Sequence, residues 1–122
     1  MGIPKVYESE YRFCLILWEN EPIKSGDLVK LCAEQLEWKK STTYTVIKRL
    51  SERGILKTED AVVTSLVSKE EVQCAESHEF VNKTFGGSLP KFIAAFTKKQ
   101  ELSQDEIDQI RQMIDECEEG AK

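Results

Sequence analysis

The 122-residue chain has no long hydrophobic run. Its longest apolar stretch, Phe13 to Trp18, falls far short of the ~20 residues that span a bilayer and has no basic flank of the signal-peptide kind. No membrane insertion is expected, and the chain reads as soluble and cytoplasmic. Closely paired cysteines are also missing. Cys14, Cys32, Cys74 and Cys117 are widely spaced, with no C-x-x-C, so four reduced thiols are expected. The single histidine, His78, stands four residues from Cys74 and would share its helix face, but two ligands do not make a zinc site. No metal and no cofactor is expected. A Walker loop and a G-x-G-x-x-G are absent, and Gly86-Gly87 lies between helices with no strand before it. His78 has no matching acid and nucleophile around it, so the chain is not expected to be an enzyme. A surplus of positive charge is lacking too. Lys+Arg number 17 against 22 Asp+Glu, a net charge of −5, which argues against holding nucleic acid by bulk charge.

What is present is a succession of amphipathic segments. Tyr11, Cys14, Leu15 and Trp18 give the i, i+3, i+4, i+7 stripe of a helix over 10–20, ended by Asn20-Glu21-Pro22. Ser25 is placed to cap a second helix bearing Leu28, Val29, Cys32 and Leu36 on one face, and Ser41 to cap a third that runs to Arg53. Gly54 stands where a helix C-terminal glycine belongs. The period then changes: Ile55 to Thr58 and Val62 to Leu66 are rich in β-branched residues and predict a short hairpin turning at Glu59-Asp60-Ala61. Ser68 with Glu71, and Ser103 with Glu106, are capping boxes that open two further helices. Between them Gly86-Gly87-Ser88 separates a helix ending near Phe85 from one over 89–99 with Pro90 in its first turn. Gly120-Ala121-Lys122 reads as a frayed tail. The expected fold is mainly α: an N-terminal winged helix-turn-helix over 1–67, three helices plus a short β-hairpin, followed by a three-helix dimerisation segment over 68–122.

The third helix is the reading head of such a design, the element that enters the DNA major groove. Thr43, Val46, Ile47 and Leu50 form one stripe suited to the core. Ser41, Thr42, Tyr44, Thr45, Lys48 and Arg49 lie opposite, with Thr42, Thr45 and Arg49 on one ridge. Hydroxyls and an arginine can meet base edges, while Lys39, Lys40, Tyr44, Lys48 and Arg49 can meet phosphates. From Lys39 to Arg53 five Lys+Arg face one Glu, a local basic patch. The acid lies elsewhere: residues 1–65 hold ten Lys+Arg and ten Asp+Glu, and residues 66–122 hold seven and twelve.

The order of these motifs resembles the penicillinase-repressor family (BlaI/MecI/CopY type). Ser9-Glu10-Tyr11 with Leu17-Trp18-Glu19 is similar to its opening helix. Trp38, then Ser41 to Val46, Arg49-Leu50 and Gly54, resemble its recognition helix. Leu66 to Glu71 resemble the start of its linker helix, and Phe85 to Leu89 and Leu102 to Ile107 its dimerisation segment. The resemblance implies a homodimeric transcriptional repressor on a pseudo-palindromic double-stranded DNA operator, with a link to antibiotic resistance. It also implies inactivation by cleavage near Ala95-Phe96 and hence a membrane sensor-protease as partner. Two features depart from the family pattern. The hairpin is short and carries Glu59 and Asp60, so its wing would make few phosphate contacts. Cys117 stands alone near the end, where copper-responsive members cluster cysteines, which disfavours copper sensing.

The second half carries more apolar surface than three short helices can bury. Phe80, Phe85, Leu89, Phe92, Ile93 and Phe96 form one series, and Ile107, Ile110, Met113 and Ile114 another. Each such side chain is worth roughly 1.5–3 kcal/mol when buried. A second copy is the simplest cover, and it gives a twofold interface. The rival reading of the whole chain is a winged-helix protein-interaction module with weak or no DNA binding, favoured by the acidic wing and the net charge.

Overall fold

Glu10 starts the first helix earlier than its apolar stripe suggests. Its carboxylate accepts the Tyr7 N–H at 3.0 Å, and the Tyr11 N–H donates to the Tyr7 carbonyl at 2.7 Å. The helix therefore opens at Glu8, two residues ahead of expectation. The computed structural model describes residues 2–120. Among them the elements run α1 (Glu8–Asn20), β1 (Ile23–Lys24), α2 (Ser25–Leu36), α3 (Lys40–Glu52), β2 (Leu56–Glu59), β3 (Val62–Ser65), α4 (Lys69–Phe85), α5 (Leu89–Thr97) and α6 (Gln104–Gly120). This is the expected mainly helical order. The last helix continues through Gly120; Ala121 and Lys122, assigned to a frayed tail, lie outside the described residues.

The chain divides into two compact units, Met1–His78 and Glu79–Lys122. The first has one apolar core. Phe13, Cys14, Ile16 and Leu17 of α1 meet Leu28 and Cys32 of α2 and Val46, Ile47 and Leu50 of α3. Ile55, Leu56 and Val63 close it from the sheet side, and Val67, just before α4, and Val72, in its first turn, complete it. Trp38 stacks on Phe13, ring centroids 6.0 Å apart and planes within 6°. That contact and the left-handed Glu37 (φ 58) set the sharp turn between α2 and α3.

Two serines expected as caps lie inside their helices. Lys24 is the N-cap of α2 because its pairing with Val62 holds it extended, and the helix begins at the very next residue. Lys39 is the N-cap of α3 because its carbonyl takes the first helical hydrogen bond, from the Thr43 N–H at 3.1 Å. The capping boxes do form. Ser68 and Glu71 exchange two hydrogen bonds of 3.0 Å, and Ser103 and Glu106 two of 3.1 Å. Ser88 caps α5 by accepting the Lys91 N–H at 3.2 Å. That helix stops at Thr97, two residues short of the expected end.

The hairpin turns on two residues, not three. Glu59 pairs with Val62 as the last strand residue, and Asp60 and Ala61 both take positive φ (51 and 62). This is the backbone of the tight turns that match strand twist. A third strand, unforeseen in the sequence, joins it: Ile23–Lys24 pairs antiparallel with β3, giving the order β1-β3-β2. Two residues carry no periodicity, so only the pairing itself makes them a strand.

In the second unit Gly86 (φ 57) and Gly87 (φ 84) turn the chain from α4 into α5. Phe80, Phe85 and Phe92 meet edge to face with centroids 5.5–5.9 Å apart, and Phe96 tilts against Phe92 at 6.1 Å.

Candidate nucleic-acid interface

One side of α3 is fully committed to the core: Thr43, Val46, Ile47 and Leu50 are all buried. The helical period then forces the remaining side chains outward. Ser41, Thr42, Tyr44, Thr45, Lys48 and Arg49 are exposed, as are Lys39 and Lys40 before them. Steps of three and four residues put Thr42, Thr45 and Arg49 about 4.5 and 6 Å apart along the axis. The Thr45 hydroxyl donates to the Ser41 carbonyl at 2.9 Å, so its oxygen remains free to accept. Lys40 Nζ stands 6.0 Å from the centre of the Tyr44 ring, which lines cation and phenol along the same edge. The unpaired N–H groups of the first turn add positive potential beside Lys39 and Lys40. The face is hydroxylic and cationic, and it lies opposite the buried side formed by Thr43, Val46, Ile47 and Leu50.

Arg53 does not belong to this patch, although the sequence counts it there. Its guanidinium pairs with the Glu10 carboxylate and lies 5.5 Å over the Tyr7 ring. The outward cations of the helix are therefore Lys39, Lys40, Lys48 and Arg49. Glu10 and Arg53 are forty-three positions apart, which is why no local pattern announces them.

Helix α1 holds the hairpin as well. The Glu21 carboxylate accepts from the Ser65 N–H and from the Ser65 hydroxyl, both at 2.8 Å. The Trp18 indole N–H donates to the Val67 carbonyl at 3.0 Å. The hairpin tip is acidic: Lys57 pairs with Glu59 at 3.5 Å, and Asp60 stands beside them, exposed.

The cysteines divide by burial. Cys14 and Cys32 are buried, Cys74 and Cys117 exposed. Burial, reinforced by the nearby Glu10 carboxylate, pushes the Cys14 thiol up to about 12, and burial also raises that of Cys32. Both are core hydrophobes and not nucleophiles. Cys74 and His78 are both exposed. Among the described residues no group of three His, Cys, Asp or Glu could hold a metal ion. None of the described helices is long and apolar enough to cross a membrane.

The apolar series of the second unit is only partly covered. Phe80, Leu89, Ile93, Phe96, Met113 and Ile114 are exposed, from 40% for Ile93 to 59% for Met113. Phe85, Phe92, Ile107 and Ile110 are half-buried. A groove of about 220 Å³ runs between α5 and α6, lined mainly by Phe92, Ile93, Phe96, Leu102 and Ile110. Leu102 joins this groove from outside the two apolar series that the sequence shows. Ala95 and Phe96 are exposed within α5.

Comparison with known proteins gives a consistent answer. The chain is 28% identical over 117 residues to the methicillin resistance regulatory protein MecI of Staphylococcus aureus strain Mu50, covering 90% of this chain and 95% of that protein. It is 24% identical over 118 residues to the penicillinase repressor of Bacillus licheniformis, covering 93% and 92%. Its fold is similar to the solution structure of monomeric BlaI from Bacillus licheniformis in complex with the blaP half-operator (TM-score 0.51, 22% identity, 57% of this chain and 90% of that one). The penicillinase repressor family model matches residues 7–116. The chain thus belongs to the penicillinase repressor family, a family of DNA-binding transcriptional repressors and not of enzymes.

Proposed function

We propose that two copies of this chain repress transcription by binding a pseudo-palindromic operator, each with α3 in the major groove. The observation that carries this reading is the division of α3 into a buried side and an outward side that, up to Arg49, holds hydroxyls, a phenol and cations, with Glu52 the one carboxylate at its far end. Ser41, Thr42 and Thr45 approach bases; Lys39, Lys40, Tyr44, Lys48 and Arg49 contact phosphates. Residues 1–67 do the binding and residues 68–122 the pairing, through Phe80, Phe85, Leu89, Phe92, Ile93 and Phe96 with Ile107, Ile110, Met113 and Ile114. Exposed apolar side chains on both α5 and α6 support the pairing, because a surface of this kind is costly in water. The surplus acid of residues 66–122 keeps that half away from phosphate, so α3 is the side that approaches DNA.

Relief of repression would follow from cleavage near Ala95-Phe96, which would cut α5 and its share of the pairing face. A membrane-bound sensor-protease is the partner such cleavage requires. The relative named for methicillin resistance supports a role in antibiotic resistance. The test is a gel shift of the full chain with DNA from upstream of its own gene, across a salt series. Specific binding that weakens with salt supports the repressor. No binding at low salt would favour a winged-helix protein-interaction module, the reading to which the acidic hairpin tip points.

A further inference from the structure

We infer that Arg53 is a positioning residue for operator binding: through Glu10 it fixes the tilt of α3 on α1, and it touches no DNA itself. The inference rests on the reading of α3 as the DNA-contacting helix.

Arg53 is the C-cap of α3, the last point at which the helix is held before Gly54 (φ 78) turns the chain away. Two contacts restrain its guanidinium: it donates to the Glu10 carboxylate, and its centre lies 5.5 Å from the centre of the Tyr7 ring. Glu10 is only 6% exposed and is itself pinned, because the same oxygen, Oε1, accepts the Tyr7 N–H that starts α1. One carboxylate oxygen thus joins the beginning of α1 to the end of α3.

The apolar underside of α3 cannot do this alone. Burial of Val46, Ile47 and Leu50 is non-directional, so it sets how deep the helix sits but resists rocking weakly. A charge-assisted bond to a fixed carboxylate is directional. Leverage makes the direction matter. Arg53 lies eleven residues beyond Thr42, about 16 Å along the axis. A tilt of about 10° at the clamp would displace the Thr42 end by about 3 Å, well past the ~0.5 Å to which such contacts must be held.

The chemistry also separates this role from a direct contact. A phosphate-binding arginine contributes to the salt dependence of binding, by about 0.9 in slope per contact on duplex DNA. An arginine already neutralised by a buried carboxylate does not. Glu10 gives the sharper contrast. Deleting a negative charge from a DNA-binding protein should tighten binding if only net charge matters, whereas loss of the clamp should weaken it.

The experiment measures fluorescence anisotropy of the full chain with labelled duplex from upstream of its own gene at several salt concentrations. It compares wild type, E10Q, R53M, R53K and R49A, each checked by circular dichroism to be folded at the assay temperature. E10Q and R53M are expected to bind about tenfold more weakly with the wild-type salt slope. R53K, which keeps a cation for Glu10, should stay within about threefold and supplies a folded test should R53M not fold. R49A should flatten the slope. Folded E10Q that binds as tightly as wild type or tighter would overturn the clamp, as would a flattened slope in R53M or R53K. Failure of wild type itself to bind would instead remove the reading of α3, and the clamp with it.

Discussion

Substituting Lys39 and Lys40 together by Ala tests the proposed orientation of α3 on DNA. Both side chains are exposed at the start of the helix, and Lys39 caps it through its backbone. Surface changes of this kind move stability by only about ±0.5 kcal/mol, so the fold should persist. Binding should respond much more. Once Arg53 is set aside, each copy offers Lys39, Lys40, Lys48 and Arg49, hence about eight cations per dimer. At about 0.9 per neutralised phosphate the logarithmic salt slope is about −7, and affinity should fall about 10⁴-fold between 50 and 200 mM salt. Removing four of the eight cations halves the slope to about −3.6, and the same salt change should then cost only about 150-fold. The assay is anisotropy titration of the double variant and wild type on the same operator duplex at four salt concentrations. An unchanged slope with weakened binding would mean that the lysines act on the fold and not on phosphate. An unchanged slope with unchanged binding would place the N-terminal end of α3 away from the backbone and refute the proposed orientation.

Five further outcomes follow from the same structure. Leu50, fully buried beneath α3, should cost about 2–5 kcal/mol when replaced by Ala, read as a lower urea midpoint. Replacing Ala61 (φ 62) by Gly should relieve the left-handed turn and raise stability by up to about 1 kcal/mol, read as a higher melting temperature. In the folded chain Cys74 should react at once with a thiol reagent, while Cys14 and Cys32 wait for unfolding. Because folding raises the Cys14 pKa from 9.0 to about 12, the native state holds a proton that the unfolded state loses. Its contribution to stability is therefore full below pH 9 and falls by about 1.4 kcal/mol per unit as pH rises toward 12; C14A should remove that loss from the pH-dependence of urea unfolding. Ile93→Glu, which puts charge on the exposed face of α5, should shift sedimentation from dimer to monomer and weaken operator binding.

The parts legible in the sequence are those decided within a few residues. The boxes at Ser68 and Ser103 form because each Glu stands three residues on and meets a backbone N–H that the helix leaves unpaired. The two sides of α3 follow from spacing alone: once Thr43, Val46, Ile47 and Leu50 turn inward, the period of 3.6 sends Thr42, Thr45 and Arg49 outward. The aromatic series from Phe80 to Phe96 likewise shows where apolar surface must gather.

Tertiary structure decided whatever depends on a distant partner. Ile23–Lys24 is a strand only because β3 offers an edge, and the pairing that holds Lys24 extended moves the cap off Ser25. Arg53 is an exposed cation by composition and a sequestered one in the fold, because Glu10 and Tyr7 reach it from the other end of the unit. Trp18, an ordinary helix residue in the sequence, and Glu21, part of the stop that ends that helix, fasten Val67 and Ser65. The local code set which helices form and which side of α3 faces out. Long-range hydrogen bonds and ion pairs, whose partners no local period relates, set how that helix and the hairpin are held on α1.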